Sequence, residues 1–104
     1  MKIIRCISEK IREEIGDAEA YIQLANEWKE EYPDTADLFY ELSTEELGHM
    51  ERLHDAVADL IKDYRDKHGE PPAGMMALYD YLHEQAIENT MRVKVKQGMY
   101  KADA

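Results

Sequence analysis

The sequence predicts an all-α protein: a long antiparallel two-helix hairpin followed by a third helix. Apolar residues recur in steps of three, four and seven along most of the chain, as on amphipathic helices. Proline-marked breaks interrupt that pattern at only two places, and no stretch alternates apolar with polar in the manner of a strand. At 104 residues the chain is expected to form a single domain over 1–104. A core that small leaves part of the stability to self-association.

Helix 1 is expected over roughly 3–30, with Ile7, Ile11, Ala18, Tyr21, Ala25 and Trp28 on its apolar stripe. Pro33 suits the first position of a second helix, where its missing N–H costs nothing. Helix 2 is expected over roughly 34–68. His68-Gly69 reads as a glycine-capped C-terminus, and Pro71-Pro72 prevents continuation. The main stripe of helix 2 is Leu38, Leu42, Leu53, Ala56 and Leu60. A second row, Phe39, Met50, Val57 and Ile61, widens its apolar face, so this helix must touch more than one partner. Helix 3, over roughly 73–101, carries Met75, Leu78, Tyr79, Leu82, Ala86 and Val93 and is expected to cover that second row. Gly98 and the basic Arg92, Lys94 and Lys96 point to a frayed or exposed end.

Composition narrows the function classes. The net charge is −10, and no basic stripe of the kind nucleic-acid binders carry runs along the chain. Acidity suits the attraction of cations and equally suits any solvated helical protein. No apolar run approaches the ~20 residues of a membrane span, and MKIIRCISEK lacks the apolar core of a signal peptide. Neither nucleic acid nor membrane is therefore expected as a partner. Cys6 is the only cysteine, which removes intrachain disulfides and cysteine zinc sites and fits a reducing, cytoplasmic setting.

The polar residues that interrupt the stripes carry the functional argument. Between Ile11 and Ala18 the stripe of helix 1 passes through Glu14; between Leu42 and Leu53 that of helix 2 passes through Glu46 and His49. A carboxylate on an apolar face is costly unless paired or metal-bound. In an antiparallel hairpin with a short turn, Ile7 stands level with Ala56, Ile11 with Leu53, Tyr21 with Leu42 and Ala25 with Leu38. The same register sets Glu14 opposite His49, with Glu46 one turn away on the same face of helix 2. Two carboxylates and an imidazole at one level make half of a metal site, suited to iron or manganese and compatible with zinc. Helix 3 offers no second Glu-x-x-His, since His83-Glu84 and Glu88 have the wrong spacing. The other half must come from a second copy, giving a homodimer or higher homo-oligomer, or else the site is incomplete. Rotating the helix 1 stripe by one position would instead put Ile15 in the core and Glu14 on the surface; the register favours the ligand reading. For Glu46 and His49 the plain alternative is a buried ion pair.

Glu14, Tyr21 and Ala25, followed by Ser43-Thr44-Glu45-Glu46-Leu47-Gly48-His49, resemble the ferritin-like superfamily, in particular its half-size and rubrerythrin-type members. The likeness covers roughly residues 8–62. It implies a chain that dimerises into a ferritin-like four-helix bundle, with Glu14, Glu46 and His49 as metal ligands and a di-iron cofactor at the subunit interface. Similarity to encapsulated ferritins, which have one hairpin per chain and a trailing helix, implies a ferroxidase handling iron for storage or detoxification inside a protein shell. Two departures qualify this. Tyr100-Lys101-Ala102-Asp103-Ala104 carries no recognised shell-targeting tail, and the cysteine-rich rubredoxin domain of rubrerythrins has no counterpart here, which removes the electron inlet of their peroxidase activity. Two rival readings stand beside the ferroxidase: a non-enzymatic helical assembly protein that keeps the hairpin, and a metal carrier without turnover.

Other singled-out residues have plain readings. Asp17 and Glu45 are read as solvated neighbours of the trio, with a supporting or alternative ligand role as the other reading. Tyr21 and Trp28 are core aromatics, His54 is a core or interface histidine, and Met75-Met76 is core filler. Gly16 and Gly48, each costing a helix roughly 1 kcal/mol relative to Ala, suggest close helix approach or room for an exogenous ligand.

Overall fold

A computed structural model describes residues 1–102; Asp103 and Ala104, the end of the tail read above for shell targeting, lie outside the described residues. Three helices follow in order: α1 (Lys2–Trp28), α2 (Pro33–His68) and α3 (Ala73–Ala102). The chain forms a rod of 56 × 19 × 17 Å. Among the described residues no helix is long and apolar enough to cross a membrane.

The helix boundaries follow from local chemistry. The backbone N–H of Tyr32 bonds to Trp28 O at 2.8 Å, closing a tight turn before α2. Pro33 opens α2, and Asp34 adds a negative charge where the helix dipole favours one. At the other end Arg65, Lys67 and His68 complement the dipole. Gly69 takes φ +80, a conformation only glycine adopts without strain, and donates its N–H to Arg65 O at 3.0 Å.

The core lies between the hairpin and α3. α1 contributes Ile4, Ile11, Ile15, Ala18, Ile22 and Ala25; α2 contributes Ala36, Leu47, Met50, Val57 and Ile61; α3 adds Val93 and Tyr100. The expected assignment of apolar rows is therefore corrected. On α1, Ile15 is a core residue at 3% exposure, while Ile7, Tyr21 and Trp28 are only half-buried. On α2 the second row supplies the buried Met50, Val57 and Ile61, with Phe39 half-buried; of the expected main stripe, Leu53 and Leu60 are half-buried and packed against the core, Leu42 and Ala56 are half-buried, and Leu38 is 49% exposed. Both rows obey the helical period, so periodicity alone could not tell which row the chain's own third helix covers.

α3 runs parallel to α1 and packs mainly on it. Its end is anchored, which corrects the expectation of a frayed terminus. Tyr100 is buried, donates its hydroxyl to Asp37 and stacks on Tyr40 at 5.2 Å. Burial, then that hydrogen bond and the charge of Asp37, push the Tyr100 phenol up to about 12. Lys96 pairs with Glu19 at 3.3 Å. Ser43, fully buried, ties the three helices together: its hydroxyl donates to Ala18 O at 2.7 Å and accepts from Gln97 Nε2 at 2.9 Å. At the opposite end the N-terminal amine reaches Met75 Sδ at 2.8 Å. A Cβ added at Gly16 or Gly48 would meet nothing within 4 Å, so close helix approach within one chain does not require either glycine.

Candidate metal centre

The half-buried rows of α1 and α2 form one long face that α3 leaves open, and Glu14, Glu46 and His49 lie midway along it. Ile7, Glu14, Tyr21 and Trp28 follow at intervals of seven on α1, which keeps them on one side of the helix. On α2, steps of three and four line up Leu42, Glu46, His49, Leu53, Ala56 and Leu60. Tyr21 stacks on Phe39 at 6.3 Å beside the trio.

The hairpin brings the three expected ligands together. One donor atom from each of Glu14, Glu46 and His49 lies within 4.8 Å of the others. His49 Nδ1 stands 3.7 Å from Glu14 Oε2 and 3.6 Å from Glu46 Oε2. Donors bound to a single ion at about 2.1 Å can be no more than about 4.2 Å apart, so small side-chain rotations complete the convergence. The trio is more open than the register implied, however. The side chain of His49 is 54% exposed, against 25% for Glu14 and 18% for Glu46.

The electrostatics describe a site that wants a cation. The Glu46 carboxyl is held above its ordinary value, first by a hydrogen bond with Glu14, then by burial and the charge of Glu14; His49 pulls the other way, and Asp17 adds to the rise. A metal ion at this spot would supply the counter-charge that the two neighbouring carboxylates lack. Oxygen, oxygen and nitrogen donors are the mix that suits iron and manganese. Asp17 and Glu45 are exposed and outside the convergent group, although Asp17 reaches Glu46 through its charge.

Other contacts had no sequence signal. His54 stacks on His83 of α3 at 4.8 Å between ring centroids, and His83 stacks on Tyr79 at 5.8 Å. The pairing of residues on α2 and α3 depends on how α3 docks, which no local spacing reveals.

A hairpin that presents two carboxylates and an imidazole from its midpoint, with a third helix behind it, has the fold and donor set of a ferritin-like carboxylate–histidine protein. The family model for rubrerythrin matches residues 6–99, nearly the whole chain, and the protein belongs to that family, whose domains bind iron. No curated protein and no solved structure shows significant similarity to the chain.

Proposed function

We propose that two copies of the chain pair through the open face of the hairpin, hold a di-iron centre between them and oxidise Fe(II) to Fe(III) with dioxygen as the electron acceptor. The observation that carries this reading is the convergence of Glu14, Glu46 and His49 on a face that the chain's own third helix does not cover. One chain offers three donors, too few for two metal ions. A twofold axis through the face doubles the set to four carboxylates and two imidazoles, the complement found in di-iron and di-manganese carboxylate bundles. Half-buried Ile7, Tyr21, Leu42, Leu53 and Leu60 would become the apolar seam on either side of that centre.

Each residue then has a distinct task. Glu14 and Glu46 would hold the metal ions through carboxylate oxygens and His49 through an imidazole nitrogen. The Glu46 carboxyl holds its proton more tightly than usual, and that proton competes with a cation, so metal binding is expected to tighten as pH rises. The apolar seam excludes water from the site once the copies meet. Iron supplies the redox chemistry, and the chain supplies position and charge. Manganese or zinc would fit the same donors without this turnover.

Oxygen consumption after Fe(II) is added to the purified protein tests the reaction. Uptake that saturates with Fe(II) and exceeds that of Fe(II) in buffer is expected. Stable Fe(II) binding with uptake no faster than buffer would reduce the protein to a metal carrier.

A further inference from the structure

On the α3 side of the hairpin a cleft of about 430 Å³ opens between the first half of α1, the second half of α2 and the middle of α3. Its size falls within the ~300–1,000 Å³ typical of small-molecule sites. Ile15, Met50 and Val57, all core residues, form apolar lining. Tyr79, His83 and His54 line it too, stacked in a column with interplanar angles of 12° and 25°. Stacked in this way, the three rings offer a guest in the cleft their edges. Ring edges carry partial positive charge and favour the face of another aromatic ring.

The charges around the cleft are divided by helix. Arg12 comes from α1 and Lys94 from α3; both are exposed, and neither side chain has an ion pair or hydrogen bond among the described residues. That is notable in a chain with 23 acidic and 13 basic residues, where acidic partners are abundant. On the α2 side Glu51 and Asp55 also reach the cleft, and Asp55 Oδ1 lies 3.9 Å from His54 Nδ1. The free positive charge therefore sits on the α1–α3 edge.

We propose that this cleft binds a planar aromatic anion, with its ring system against the Tyr79–His83–His54 column and its negative group toward Arg12 and Lys94. The site is separate from the carboxylate–histidine trio and rests on none of the argument for iron.

Two fluorescent probes of similar shape test it on the full chain: anilinonaphthalenesulfonate, which is anionic, and N-phenylnaphthylamine, which is neutral. The anion should saturate at one per chain and bind about tenfold tighter than the neutral probe, the scale of one charge-assisted contact. The double variant Arg12→Gln/Lys94→Gln, which touches only exposed side chains, should bind the two probes equally while keeping its helical circular dichroism. The ring protons of His54 and His83 should shift on addition of the sulfonate, and Glu14→Ala should bind it as the unaltered chain does. Equal affinity for the two probes in the unaltered chain, an unchanged preference in the double variant, or histidine signals that do not move would overturn the proposal. So would binding confined to monomer and lost in larger species, because a second copy of the chain would then be the occupant of the cleft.

Discussion

Replacing Glu14 with alanine is expected to lower iron affinity by at least about 100-fold, since loss of an outer-shell partner alone costs 10–100-fold, and to leave the three-helix fold intact. Glu14 is one of three convergent donors, its side chain is 25% exposed, and its contacts with α2 are the polar ones to Glu46 and His49 rather than core packing. The metal-free protein should respond in a second way. Glu46 is held above the ordinary glutamate value of 4.5 chiefly by its hydrogen bond with Glu14. A folded carboxyl that keeps its proton longer than the unfolded one makes stability fall as pH rises from the ordinary value through the raised one. Without Glu14 the main cause of that rise is gone, so the decline above 4.5 should be weaker in the variant. Iron titration and denaturation across pH, carried out on both proteins, read the two effects separately. Iron content equal to that of the unaltered chain would remove Glu14 from the ligand set.

Leu53→Lys is expected to split the paired hairpins and to abolish iron binding without touching a ligand. Leu53 sits one turn beyond His49 on the open face, half-buried in a single chain. In the monomer a lysine there gives up part of the packing that Leu53 makes against the core, but its stem can lie along the surface with its ammonium in water. Across a twofold seam the same charge would be buried opposite its own copy or nearly so, a far larger penalty. Analytical ultracentrifugation should find monomers, and iron should fall to background because three donors from one chain cannot hold two ions. A variant that remained dimeric and bound iron normally would place the partner surface elsewhere.

Much of this architecture could be read from the sequence because it depends on local rules. Pro33 and Gly69 mark helix ends through backbone geometry, and Glu14, Glu46 and His49 meet because an antiparallel hairpin with a short turn leaves little freedom in register. The failures concern what packs on what. Leu42 and Val57 both follow the helical period, yet only Val57 faces the chain's own core, at 1% exposure. A hairpin with two apolar rows does not label in its sequence which of them α3 will cover. Tyr100 was lost among small and basic neighbours, although its contact with Asp37 and Tyr40 anchors the end of α3. Ser43 and the His54–His83 stack were invisible for the same reason: each is defined by a partner many residues away.

The central claim, a metal site completed only when two chains meet, is tested most directly by iron content across size-exclusion fractions after anaerobic addition of Fe(II). The account predicts about one iron per chain in dimers or larger species, as two ions per pair of hairpins requires, and none above background in monomer. Iron bound by monomer at the same ratio, or absent from every fraction, would contradict it.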